Sequence, residues 1–282
     1  MKVNLFVVGA AKAGTTTLAE YLKRHRECYC PDDKEPHYFG ELAPKNLKKY
    51  STLSEYHSLY KNAKTAWLAD FSTSYLYSKS AANEIYNYNK NSKIIIILRN
   101  PIGRAYSLYL HQVKSLEENE SFRAALRAEE SRISQGYPYG YHYVSSGMYY
   151  KQVRRYIDLF GENNVKILFF EDLISDMSLF LKQVENFLSL EKKIDRKRIV
   201  TNESGVIKSK SIARVLSVNF PFKRKVKRVI GNVGINKIKK TNMKKANPVD
   251  SEVKERLREI FVNDVAMLNS IIDTKRVWKD FQ

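Results

Sequence analysis

The chain has 282 residues, 43% of them hydrophobic, enough for one α/β domain over 1–282, and a formal net charge of +19. Cys28 and Cys30, one residue apart, are the only cysteines and make neither a disulfide framework nor a metal-ligand set. With no apolar run of about 18 residues to cross a bilayer, and with the short apolar stretch after Lys2 better used as a strand than as a signal peptide, the chain reads as a reduced, cytoplasmic protein.

Leu5, Phe6, Val7 and Val8 run into Gly9, and from Gly14 the positions Leu18 and Leu22 take helical spacing with Ala19 and Glu20 as helix formers. A buried strand, a tight loop and a helix ending near His25 are predicted. A loop with Gly9 and Gly14 lets backbone N–H groups close on an anion, and the helix start adds unpaired donors and the positive end of its dipole. Phosphate is the expected guest. In the nucleotide P-loop, Gly-x4-Gly is followed by Lys and then Ser or Thr; here Gly14 is followed by Thr15, Thr16 and Thr17, and the lysine stands earlier, at Lys12. Three hydroxyls at a helix start can cap the helix and donate to a phosphate. Such a loop holds a 5′-phosphate with no obvious need for a metal.

Next comes Lys34-Glu35-Pro36-His37-Tyr38-Phe39, where Pro36 favours an extended Glu35, so a strand or loop edge is expected and its charges beside two aromatic rings suggest a site wall. Residues 53–60 and 81–88 read as short helices, and 66–73 as a strand carrying Asp70. Residues 93–98 hold four consecutive isoleucines, the pattern of a central parallel strand buried on both faces. That strand ends in Arg99-Asn100-Pro101, with Pro101 suited to a helix start. Ligands of open α/β sheets bind at the carboxyl ends of strands. From there the fork of Arg99 and the hydroxyl of Ser107, two turns into the helix, can converge on one phosphate.

Beyond it, 121–130 is a polar helix, 136–150 a loop with six tyrosines, 149–160 a helix, 165–170 a strand ending in Glu171-Asp172, and 177–188 an amphipathic helix. The segment 204–249 has thirteen Lys and Arg residues and no acidic one, a charge block that attracts nucleic acid, anionic lipid or an acidic substrate. A long C-terminal helix is expected over 250–272. Strands alternating with helices make the central sheet mainly parallel and flanked by helices.

The run Ala11-Lys12-Ala13-Gly14-Thr15-Thr16-Thr17-Leu18 resembles the 5′-phosphosulfate loop of sulfotransferases that use 3′-phosphoadenylyl sulfate (PAPS). Arg99 to Ser107 resembles the same family's 3′-phosphate motif, with Arg and Ser at the same separation. The resemblance implies an α/β, P-loop-like three-layer fold, PAPS as sulfuryl donor, PAP as product and no required metal. Its cofactor contacts would be Lys12, Ala13, Gly14, Thr15, Thr16, Thr17, Arg99 and Ser107, joined by Lys208, Ser209 and Lys210, which look like the family's late basic loop. Lys34 to Phe39 looks like the segment that supplies the catalytic glutamate in the carbohydrate, heparan-sulfate-type branch. Glu35 is then the candidate base, with a pKa raised by burial beside Tyr38 and Phe39, and His37 is the alternative. Lys12 would stabilise charge on the bridging oxygen as PAP leaves.

The resemblance extends to Gly147-Met148-Tyr149, Phe170-Glu171-Asp172-Leu173, Asn202-Glu203-Ser204-Gly205 and Val277-Trp278. It departs at Ala69-Asp70, where related enzymes often have Gly-Glu; Asp70 and Lys34 are carried as acceptor contacts. The acceptor is expected to be anionic or sugar-containing, and peripheral contact with the inner face of an anionic membrane stays open. Two other readings compete. A P-loop kinase or nucleotide hydrolase is disfavoured by Thr15 where the nucleotide lysine should stand. A nucleic-acid or membrane-surface binding protein would rest on the basic block, whose aromatics are Phe220 and Phe222 and which matches no recognised nucleic-acid module.

Overall fold

A computed structural model describes residues 2–42, 50–197, 206–208, 241–244 and 246–282. Among them, strands β1 (Leu5–Gly9), β2 (Cys28–Tyr29), β3 (Trp67–Asp70), β4 (Lys93–Leu98) and β5 (Val165–Phe169) form one sheet in the order β2-β3-β1-β4-β5. Every neighbouring pair in it is parallel. The helices are α1 (Thr15–Lys23), α2 (Leu53–Ser58), α3 (Ala81–Tyr88), α4 (Pro101–Lys114), α5 (Phe122–Ser134), α6 (Tyr149–Phe160), α7 (Phe170–Ser175), α8 (Met177–Leu188) and α9 (Ser251–Asn269). The expected α/β class, a parallel sheet flanked by helices, is what forms. Among the described residues no helix is long and apolar enough to cross a membrane.

The chain gathers into two compact units, one of residues 1–104, 145–201 and 258–282, the other of residues 105–144 and 202–257. The first holds the five-stranded sheet. Its core follows from the sequence pattern: Ile94 to Ile97 are fully buried between β1 and β5, and Leu5 to Val8 are buried likewise between β3 and β4. The second unit holds α5 and a short antiparallel pair, β6 (Val206–Ile207) with β7 (Met243–Lys244). Here Glu118 receives Arg132 and the Tyr143 hydroxyl, and the Arg132 guanidinium lies over the Tyr141 ring at 5.2 Å, so tyrosines of the 136–150 loop serve in packing.

Several boundaries differ from the sequence reading for local reasons. The strand expected over 66–73 stops at Asp70, because the Asp70 carboxylate accepts from the Ser72 N–H at 2.9 Å and turns the chain. The strand expected over 165–170 stops at Phe169, and α7 begins at Phe170. The C-terminal helix is shorter than 250–272; Thr274 returns its N–H and hydroxyl to the Asn269 side chain at 3.0 Å. The two-residue β2 was not anticipated.

Gly14 sets the close approach between the loop after β1 and α7. It has φ 85, and a Cβ there would stand 2.7 Å from Leu173 Cδ2 and 3.0 Å from Phe170 Cδ2. Gly14→Ala meets a left-handed backbone penalty of about 1–2 kcal/mol and an overpacking penalty of about 1–3 kcal/mol. Denaturant unfolding should show it less stable by roughly 2–5 kcal/mol; an unchanged midpoint would contradict this account of the contact.

Candidate active site

The carboxyl ends of β3, β1 and β4 lie side by side, and each delivers one piece of the site. After β1, the Ala10 N–H bonds the Ile97 carbonyl at 2.7 Å, Lys12 takes φ 69, and Gly14 in left-handed conformation leads into α1. The three threonine hydroxyls do not cap α1 as the sequence suggested: Gly14 holds the capping position, without a side-chain bond. Thr15, Thr16 and Thr17 instead fill the first turn, buried, exposed and half-buried in that order, and Ala13 is fully buried.

After β4, the Arg99 guanidinium donates from Nη1 to the Lys12 carbonyl at 3.1 Å and lies over the Phe170 ring at 4.5 Å. Burial lowers its pKa, with the Glu171 charge acting against that. The strand end is itself braced. The Asn100 N–H donates to Glu171 Oε1 at 2.9 Å, the Trp278 indole donates to Glu171 Oε2 at 3.2 Å, and the Tyr149 hydroxyl donates to the Arg99 carbonyl at 3.0 Å. Asp172 pairs with both arms of Arg276 at 2.8 and 2.6 Å. The outlying pieces of the sequence reading, Tyr149, Phe170 to Leu173 and Trp278, thus meet around Arg99. Ser107 is buried on α4 and belongs to the second unit, whereas Arg99 belongs to the first.

The segment that carries Glu35 follows β2, and the turn after β3 holds it in place. Glu35 Oε1 receives Lys34 Nζ at 2.8 Å; its Oε2 receives the Thr73 hydroxyl at 2.8 Å and faces His37 Nε2 at 3.4 Å. The carboxylate is about one-third exposed, at 32%. Burial pushes its pKa up, but the His37 hydrogen bond and the Lys34 charge outweigh it and hold the carboxyl well below the usual carboxylate range. This reverses the raised pKa expected from Tyr38 and Phe39, because His37, at φ 48, folds its ring back under the carboxylate.

Asp70 lies beneath this segment rather than against an acceptor. It is fully buried; Oδ1 accepts from the Ser72 N–H and hydroxyl at 2.9 and 2.7 Å, and Oδ2 from the Tyr56 and Tyr75 hydroxyls at 2.8 and 3.0 Å. Those hydroxyls in turn accept the segment's backbone: the His37 N–H reaches Ser72 Oγ at 2.9 Å, and the Tyr38 and Phe39 N–H groups reach the Tyr75 oxygen at 2.9 and 3.3 Å. The expected acceptor contact is therefore corrected: Asp70 is taken up in anchoring the loop that presents Glu35. Lys34 remains on the surface side, bordering a cavity walled by Lys23, Asp32 and Phe71.

Of the late basic loop, Ser209 and Lys210 lie outside the described residues. Lys208 is exposed in the second unit, its N–H bonded to the Asn242 carbonyl at 2.8 Å. Sequence reasoning missed Ser72, Thr73, Ser74 and the brace at Glu171. Three hydroxyl residues directly after a strand ending in Asp were the available signal.

Residues 2–261 match a family model described as a sulfotransferase domain. A crystal structure of a sulfotransferase from Alicyclobacillus acidocaldarius is similar with a TM-score of 0.75 and 28% identity, covering 96% of each chain. A sulfotransferase domain from the curacin biosynthetic pathway, at 17% identity and TM-score 0.52 over 92% of this chain and 97% of that one, shares the fold. Human heparan sulfate glucosamine 3-O-sulfotransferase 3B1 is 25% identical over 259 residues, 90% of this chain and 59% of that protein. The chain spans about half the length of the curated relatives it matches, 49% for the mouse 3B1 protein.

Proposed function

The chain belongs to the sulfotransferase domain family, and from that premise we propose that it moves a sulfuryl group from PAPS to a hydroxyl or amine of a carbohydrate or glycoconjugate, releasing PAP. The observation that supports this is the hydrogen bond from Arg99 to the Lys12 carbonyl, which holds the arginine that opens the second motif against the loop of the first. The start of α1, led by Gly14 at the positive end of the helix dipole, suits a 5′-phosphate, and the charged fork of Arg99 suits a 3′-phosphate. PAPS supplies the sulfuryl group. The carbohydrate acceptor rests on Glu35 and on the heparan sulfate relatives. A reduced, cytoplasmic protein belongs to the same proposal, in keeping with Cys28 and Cys30 as buried free thiols.

Glu35 takes the proton of the attacking hydroxyl or amine as the oxygen–sulfur or nitrogen–sulfur bond forms and the sulfur–oxygen bond to the departing nucleotide breaks. Lys12 is assigned to the oxygen on which charge then develops. The depressed pKa has a checkable sign. Glu35 is charged above its lowered folded value, so its activity as a base is complete through about pH 5–8 and is lost only as pH falls through that value. Lys34→Met removes one of the charges holding it down, and the acid limb of kcat should move to higher pH; a limb that stays in place would mean that Lys34 does not tune the base.

Transfer of sulfur-35 from PAPS into a panel of glycans, glycolipids, phenols and peptides tests the function. Label in a sugar hydroxyl or amine, with PAP bound in preference to ATP and without magnesium, is the expected result. Label confined to phenols would remove the carbohydrate acceptor, and preference for magnesium-ATP would return the kinase reading.

A further inference from the structure

Immediately after β3, three consecutive hydroxyl residues each hold a different atom of the segment that carries the base. Ser72 Oγ accepts the His37 N–H at 2.9 Å while its own hydroxyl donates to Asp70. The Thr73 hydroxyl donates to Glu35 Oε2 at 2.8 Å. Ser74 Oγ lies 2.7 Å from His37 Nδ1, and the opposite ring nitrogen faces Glu35 Oε2 at 3.4 Å. All three are buried, Ser72 at 0%, Thr73 at 7% and Ser74 at 1% exposure, so the hydroxyls are shielded and solvent reaches this cluster at the one-third-exposed Glu35 carboxylate.

A carboxylate oxygen has two lone-pair sites. Oε2 faces two partners, Thr73 directly and Ser74 through the His37 ring, whereas Oε1 receives Lys34. We propose that residues 72–74 form the positioning element of the base: Thr73 directly, and Ser74 through His37, engage Oε2 and so present Oε1 as the oxygen that receives the acceptor's proton. This rests on the reading of Glu35 as the general base. Thr73 and Ser74 are positioning residues, acting on the reaction through Glu35 and His37.

Thr73→Val keeps the shape of the side chain and removes the hydroxyl, and Thr73→Ser keeps the hydroxyl. The assay is PAP release from PAPS with de-O-sulfated heparin, or water in its absence, as the sulfuryl acceptor. Thr73→Val should lower kcat about tenfold, the order expected for losing a hydrogen bond to a charged group, with KM for PAPS and PAP affinity unchanged. Thr73→Ser should restore most of the loss. In a Glu35→Gln background Thr73→Val should cost little more, since no base is left to position. The proposal alone is overturned if Thr73→Val turns over like wild type while Glu35→Gln is inactive. It is overturned equally if Thr73→Val costs the same factor in both backgrounds, or if it weakens PAP binding and Thr73→Ser does not recover. Full turnover by Glu35→Gln would overturn the base assignment and, with it, this inference.

Discussion

Glu35→Gln is expected to remove most sulfuryl transfer, by roughly 10²–10⁴-fold, the range that a general base supplies, while PAP affinity stays near wild type. The amide keeps the size of the carboxylate and an oxygen that can still accept from Thr73, so the segment held by Ser72 and Tyr75 keeps its backbone bonds. What is lost is the ability to accept a proton. His37→Ala should be milder, about tenfold, because it removes a partner of Oε2 and the link to Ser74 without removing the base. Measuring kcat, KM and PAP affinity for both variants separates the roles. A dead His37 variant beside an active Glu35 variant would transfer the base to His37, and the sugar preference that rests on the glutamate would go with it.

Arg99→Ala should act on two quantities at once. Losing the charged fork from a 3′-phosphate should weaken PAP binding by about 1.5–3 kcal/mol, and adenosine 5′-phosphosulfate, which lacks that phosphate, should bind nearly as before. Turnover should fall as well for both nucleotides, because the same guanidinium holds the Lys12 carbonyl and lies over Phe170. Titration calorimetry with the two nucleotides, beside single-turnover rates, resolves these effects. Equal losses of affinity would show that Arg99 works only on the loop and does not meet the phosphate.

Much of this site was legible from the chain because it depends on local pattern. The four isoleucines of β4, the apolar run of β1 and the glycine that opens α1 each announce themselves within a few residues. The Arg99 position followed from the rule that ligands collect at strand ends. What was hidden depends on partners distant in sequence. Nothing near Glu35 signals that Thr73 will donate to it, nor that Ser72 and Tyr75 will carry residues 37–39. The direction of the Glu35 pKa was misread because its aromatic neighbours suggested desolvation, while the outcome depended on the backbone turn at His37. Asp70 was carried as an acceptor contact by the resemblance, and nothing local announced that its carboxylate closes the turn after β3 and accepts from Tyr56 and Tyr75.

The strand order has a kinetic consequence. Leu5 pairs with Ala69 on one side and Lys93 on the other, so β1 is flanked by strands that arrive much later in the chain, and every such pairing closes a long loop before it is rewarded. The loop at Lys12 cannot acquire its tie to Arg99 until β1 and β4 have zipped together. Donor-binding competence should therefore emerge in the final cooperative step of folding, and collapsed chains that already contain α1 should not yet hold nucleotide.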